Sequence, residues 1–242
     1  MADKEINYTK AVDYWSNVST DENGVLGGFG LQTAVPKVDA SGSIAFVERL
    51  QSLSPNTFPN GPLDATQPKI VLDVGAGIGR VSRDVISKFA PAVDILEPAG
   101  PLIEKAREIQ DIVHVNKFFQ MGIQDFDFPT DYKYWCIWCQ WCVGQVPDAV
   151  LVDFLKKCKE NLQEGGIIIV KENNSTSDED IFDDVDSSVT RTHEKFKSLF
   201  AQAGLRLLLS SLQRGLPKDL FPVRLYALAP AVQKEEVQVN YI

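Results

Sequence analysis

From residue 70 onward the chain alternates between two hydrophobic rhythms. Ile70-Val71-Leu72-Asp73-Val74 is a short apolar run ending in glycines and predicts a buried strand. Helical spacing follows over 81–89, a second strand over Val93-Asp94-Ile95-Leu96-Glu97, and a second helix over 101–108. Third and fourth strands are predicted at 114–119 and 134–138. Leu151, Phe154, Leu155, Cys158 and Leu162 mark an amphipathic helix over 150–162. Gly165-Gly166 ends it before the apolar strand Ile167-Ile168-Ile169-Val170. The stretch 188–203 reads as a helix stopping at Gly204, and the runs 205–209 and 223–228 as a closing hairpin. Upstream, Ile44, Val47 and Leu50 share one helical side, between a polar segment over 1–34 and a Pro/Asn/Gly-rich loop over 52–67. Repeated strand–helix units predict an α/β fold, a mostly parallel sheet with helices on both faces. The expected organisation is an N-terminal extension (1–66), a core domain (67–230) and a loose polar tail (231–242).

Composition narrows the function. The chain has 242 residues, 44% hydrophobic and 24% charged, which are ordinary globular values. Its 24 Lys and Arg against 33 Asp and Glu give a net charge of −9, and no basic cluster stands out. Holding a nucleic-acid backbone needs a basic face, so nucleic acid is not the expected partner. A charged partner should be basic. Positions 1–10 lack the apolar stretch of a signal peptide, and no window approaches the about 20 apolar residues that span a bilayer. Cys136, Cys139, Cys142 and Cys158 are too crowded for a secreted disulfide framework. Strand alternation should keep the first three thiols from converging, so no metal is expected. A cytosolic monomer is the expectation, with passive entry into the nucleus.

The sharpest local signal is Asp73-Val74-Gly75-Ala76-Gly77-Ile78-Gly79-Arg80, straight after a strand and opening a helix. Glycines there let the backbone approach a ligand closely, at the carboxyl ends of strands where α/β sheets bind ligands. Glu97, closing the second strand, can accept hydrogen bonds from both ribose hydroxyls. The G-x-G-x-G spacing favours an adenosyl ligand without a pyrophosphate. This pattern resembles the S-adenosylmethionine-dependent methyltransferases of the Rossmann-like class. That resemblance implies a seven-stranded sheet with its last strand antiparallel, and places the adenine near Gly122-Ile123-Gln124-Asp125-Phe126.

Four further segments bear on the methyl acceptor: Leu26-Gly27-Gly28-Phe29-Gly30, Trp138-Cys139-Gln140-Trp141-Cys142-Val143-Gly144-Gln145, Lys171-Glu172-Asn173-Asn174 and Asp183-Asp184-Val185-Asp186-Ser187-Ser188. In this order they look like the protein α-N-terminal methyltransferases, which methylate the free amine of chains beginning X-Pro-Lys. The match runs from about Tyr14 to Leu228. It implies S-adenosylmethionine as cofactor, a cytosolic and nuclear location, and protein substrates that include ribosomal proteins. It also implies that Trp15, Gly75, Gly77, Arg80, Glu97, Ile123 and Gln124 line the cofactor, with Gln140 closing that side. Leu26, Gly27, Trp141, Gln145, Asn173, Asp183, Asp186, Ser188 and Arg224 match the peptide channel. Two positions depart from the family: Gln145 stands where a His is common, and Arg224 where an aromatic is. Glu97 replaces the usual Asp, and Ala99 a hydroxyl residue.

Elementary chemistry agrees with these roles. An α-amine titrates at about 7.7–8.0 and must lose a proton before attacking a methyl group. A neighbouring carboxylate can dock its cationic form and accept the proton, the role expected of Asp186. Asp183 would hold the substrate lysine, Asn173 the substrate backbone, and Trp141 the proline ring and methylated ammonium. Gln145 cannot act as a base. The blander reading keeps 178–186 as a solvated loop capping a helix from Ser188, and Trp138 and Trp141 as core aromatics. Two other functions stay open: a small-molecule N- or O-methyltransferase, and an inactive adenosyl-binding scaffold.

Overall fold

A computed structural model describes residues 2–30, 32–53 and 67–231. The chain begins with a 3-10 turn at Ala2–Glu5, then three helices: α1 (Tyr8–Asn17), α2 (Glu22–Val25) and α3 (Val35–Leu53). Asn7 and Asp21 cap α1 and α2, each side chain accepting an N–H of the first turn. The core alternates β1 (Ile70–Val74), α4 (Arg80–Asp84), β2 (Ala92–Leu96), α5 (Gly100–Ala106), β3 (Val115–Phe119) and β4 (Tyr134–Gln140). There follow α6 (Asp148–Glu160), β5 (Leu162–Asn173), a small hairpin of β6 (Ile181–Asp183) and β7 (Ser188–Thr190), α7 (His193–Gln202), β8 (Leu205–Leu212) and β9 (Val223–Pro230).

Seven strands form one sheet in the order β3-β2-β1-β4-β5-β9-β8. The first five are parallel, and β9 runs antiparallel to both β5 and β8. Both faces are covered, which is why the central strands are apolar without alternation: β1 and β4 are buried at every position. One face carries Leu72, Val74, Ile137 and Cys139 against α6 and α7, and the other carries Val71, Cys136 and Trp138 against α3. Cys136 and Cys139 therefore face opposite ways. Chain order reverses between β1 and β4, which opens a crevice at their carboxyl ends.

Three expectations need correction. The helix predicted over 188–203 begins only at His193, with Thr192 accepting the Lys195 N–H as its cap. Ser188-Val189-Thr190 is instead a strand, since β-branched residues favour extended backbone and Phe182 pairs with Val189 across the hairpin. The acidic loop thus ends in a hairpin rather than on a helix. The helix predicted over 81–89 stops at Asp84 and continues as a single 3-10 turn, Ile86–Lys88. Val85, Ile86 and the oncoming Pro91 all work against a longer α-helix. Residues 54–66 of the predicted loop, and 232–242 of the predicted tail, lie outside the described residues. Among the described residues no helix is long and apolar enough to cross a membrane, and no three His, Cys, Asp or Glu side chains are grouped to hold a metal.

Candidate active site

The crevice beside β1 and β4 is a cavity of about 510 Å³. Its floor is Gly75-Ala76-Gly77 of the glycine loop. Gly75 has φ +64°, and a Cβ there would lie 2.3 Å from Cys142 Cβ, so only glycine fits. Its N–H and that of Ala76 donate to Leu96 O at 2.8 and 3.2 Å, closing the loop onto β2. Gly77, also left-handed at φ +57°, has nothing nearer than 3.6 Å where a Cβ would stand, so this stretch of backbone lies open to a ligand.

Glu97 lies just past β2 and is buried. Its two oxygens accept the N–H of Ala99 at 2.8 Å and of Gly77 at 2.9 Å. Burial pushes its carboxyl above the ordinary value, against the pull of those two donors. Glu97 thus shapes the glycine loop as well as facing the cavity. Ile78, Ala99 and Leu102 form an apolar cluster with Trp15, Val18 and Val25 of the N-terminal extension, and Leu102, Trp15 and Val25 form an apolar wall of the cavity. Ile123 and Gln124, in a 3-10 turn, also line the cavity, as do Arg80 and Gln140. Open glycine backbone, a buried carboxylate and an apolar wall fit an adenosyl ligand. Gln140 lines this side with its polar atoms already committed: Nε2 to Asp39 and Oε1 from Trp138 Nε1.

The other half of the cavity is built around a sharp turn after β4. Trp141 is left-handed at φ +52°, rare outside glycine. Its N–H donates to Lys171 O at 3.0 Å. The next two N–H groups, of Cys142 and Val143, both donate to Glu172 Oε1, at 2.8 and 3.0 Å. The indole ring is already flanked by the chain's own cations, Arg80 at 5.8 Å and Lys171 at 6.0 Å. The β6–β7 hairpin closes the mouth. Ser187, left-handed at φ +56°, accepts the Asn7 N–H at 2.8 Å, so the N-terminal extension holds the turn in place. Buried Arg191 ties the hairpin to the turn after β4, donating to Val143 O, Val146 O and Asp148.

Asp186 and Gln145 meet here: Gln145 Nε2 donates to Asp186 Oδ2 at 3.5 Å. Among the described residues, two buried atoms lining the cavity, Asp186 Oδ1 and Trp141 Nε1, have no hydrogen-bond partner. A buried unpaired acceptor and donor are costly, and they define what a ligand must supply. Burial first, and the charge of Asp183 with it, raises the Asp186 carboxyl above its ordinary value, against a hydrogen bond from Ser188. Leu26, Gly27, Asn173, Asp183 and Ser188 line the same cavity.

Arg224 does not. It lies on β9 and donates to Asn174 Oδ1 and Ser210 Oγ at 3.2 Å, bracing the sheet rather than entering the channel. Conversely, several lining residues escaped the sequence reading. Tyr8 and Val12 precede Trp15 on one face of α1, at spacings that could have shown them. Leu216, Leu220 and Phe221 come from the β8–β9 connection and Val223 from the start of β9, where no local pattern points to a site. Glu172 also lines the cavity. Burial pushes its carboxyl up to about 7, against the N–H groups of Val143 and Cys142. An acid raised on folding stabilises the fold fully below its ordinary value of 4.5, and that contribution is lost as pH climbs to about 7. Glu172→Gln keeps the acceptor oxygen and removes the titration. Relative to wild type, the variant should therefore gain about 3 kcal/mol between pH 5 and pH 8. Calorimetric Tm values across that range would show the difference widening; a constant difference would exclude the raised acid.

This sheet order, with its glycine loop and the buried acid just past β2, defines a Rossmann-like S-adenosylmethionine-dependent methyltransferase. Residues 3–229 match the family described as AdoMet dependent proline di-methyltransferase, and the chain belongs to that family. It is 40% identical over 228 residues to alpha N-terminal protein methyltransferase 1 of Schizosaccharomyces pombe, covering 94% of this chain and 98% of that protein. It is 35% identical over 224 residues to N-terminal Xaa-Pro-Lys N-methyltransferase 1 of Xenopus tropicalis, covering 91% and 94%. Among solved structures, a SAM-dependent methyltransferase of Leishmania major superposes with a TM-score of 0.78 at 34% identity, covering 91% of this chain and 82% of that one.

Proposed function

We propose that this enzyme methylates the free α-amino group of proteins beginning X-Pro-Lys, with Asp186 as the proton acceptor. The observation that carries the proposal is the unpartnered Asp186 Oδ1 in a cavity that also holds the glycine loop. S-adenosylmethionine supplies an electrophilic methyl group. The chain orients the amine and removes its proton. Asp186 docks the ammonium through Oδ1 while Gln145 holds Oδ2, and the raised carboxyl makes Asp186 a better base than an exposed aspartate. Gln145 takes no proton, so one titrating side chain serves the acceptor. Asn173 bonds substrate backbone, and Asp183, exposed at the rim, takes the lysine ammonium. Trp141 packs the proline and offers its free indole N–H to a substrate carbonyl. Most of the acceleration comes from holding two reactants in line. On this reading the substrates include ribosomal proteins, met in the cytosol or nucleus by a monomer.

The test is mass spectrometry of peptides beginning Ala-Pro-Lys or Pro-Pro-Lys after incubation with S-adenosylmethionine, beside N-acetylated controls. Methyl additions should be confined to the free-amine peptides. A proline amine is secondary and takes at most two. Cofactor binding without any methylation would overturn the proposal in favour of a small-molecule acceptor or an inactive scaffold.

A further inference from the structure

Asp39 lies on α3, well before the glycine loop, yet its side chain is wholly buried behind the cofactor side of the cavity. Three elements of the core send donors to it. Arg80 Nη1, at the start of α4, reaches Oδ2 at 2.7 Å. Gln140 Nε2, at the end of β4, reaches both oxygens at 3.0 Å. Lys171 Nζ, on β5, pairs with Oδ1 and also donates to Asp39 O at 3.0 Å and Ser43 Oγ at 2.9 Å. A charged residue on the buried face of a helix needs such partners, because an unpaired buried charge is not tolerated.

Two consequences follow for the cavity. Asp39 occupies one end of the Arg80 guanidinium and leaves its other N–H groups, which no described residue accepts, available where Arg80 lines the cavity. Within the cluster two cations, Arg80 and Lys171, share the one carboxylate of Asp39, so Arg80 keeps donor capacity for an anionic ligand group. The α-carboxylate on the methionine end of the cofactor is such a group. We infer that Asp39 is a positioning residue that aims Arg80 at the cofactor's α-carboxylate, making the N-terminal extension part of the cofactor clamp. This rests on Arg80 being a cofactor residue, and it is independent of which acceptor is methylated.

The inference separates two ligands sharing the nucleoside and thioether. S-adenosylhomocysteine carries the amino-acid end, and 5′-methylthioadenosine lacks it. In calorimetric titrations of the full chain, Asp39→Asn should weaken S-adenosylhomocysteine about tenfold or more, through the misaimed charge-assisted bond, and leave 5′-methylthioadenosine nearly unchanged. Asparagine also turns an N–H group toward donors, so the variant could fail to fold. The double variant Asp39→Asn/Lys171→Met removes one charge of each sign, keeps the net charge around Arg80, and should show the same selective loss. Equal weakening of both ligands in whichever variant folds would make Asp39 purely structural and overturn the inference. Arg80→Ala is the control. If it abolishes the preference for S-adenosylhomocysteine while Asp39→Asn does not, only the role of Asp39 falls. If Arg80→Ala leaves the preference intact, the assignment of Arg80 falls and the inference with it.

Discussion

Asp186→Asn should turn over a saturating Ala-Pro-Lys-Arg peptide about 10²- to 10⁴-fold more slowly than wild type, the span usual for losing a positioned general base. Asparagine keeps the shape at the hairpin mouth, and its carbonyl can still accept from Gln145. It cannot hold a proton from the amine, and the side chain hydrogen-bonded to it is a glutamine, Gln145, which cannot take the proton instead. Cofactor affinity should be unchanged, since Asp186 belongs to the peptide side. The pH profile offers an independent reading. In wild type, kcat/KM should rise with pH through the raised Asp186 carboxyl and again through the amine, at about 7.7–8.0. In the variant only the amine limb should survive. Near-normal turnover, or an unchanged acid limb, would remove Asp186 from the role of base.

Glu97→Ala should act on the opposite side. Expected is about a 10²- to 10³-fold loss of S-adenosylhomocysteine affinity by calorimetry, from two charge-assisted hydrogen bonds to the ribose. The structure adds a second cause. The same carboxylate accepts the Gly77 and Ala99 N–H groups, so truncation also leaves two backbone donors unpaired and loosens the glycine loop. Glu97→Gln separates the causes, because its amide can satisfy one backbone donor and one hydroxyl. It should retain more affinity than the alanine variant. An alanine variant that binds the cofactor as wild type does would exclude Glu97 from the ribose site. With excess cofactor, turnover should recover far better than in Asp186→Asn, since Glu97 touches no reacting proton.

The glycine-loop half of the cavity was largely legible because its determinants are local. A buried strand, glycines that take left-handed angles and an acid ending the next strand are each written in a few consecutive residues. The parallel sheet follows from that repeated unit and the closing hairpin from two apolar runs, so the order of layers needed no distant information. That Asp183 and Asp186 line the other half was expected only through resemblance, because spacing alone reads them as solvated loop. Ser188-Val189-Thr190 shows why. Its pattern suits the first turn of a helix until Phe182 pairs with Val189, and that strand pairing is what turns Asp186 toward Gln145.

The sequence by itself determined the fold class, the glycine loop with Glu97 behind it, and the acidic segment from which Asp183 and Asp186 line the cavity. Only the tertiary structure decided which polar groups work as partners and which as scaffold. Arg224 leaves the channel because Asn174 and Ser210 take its guanidinium on the sheet. Asp39 is buried behind the cavity because Arg80, Gln140 and Lys171, far apart in sequence, have one buried carboxylate to share. Backbone angles and apolar burial are set by near neighbours, whereas a buried charge is placed by whichever distant partners the packed core brings within reach.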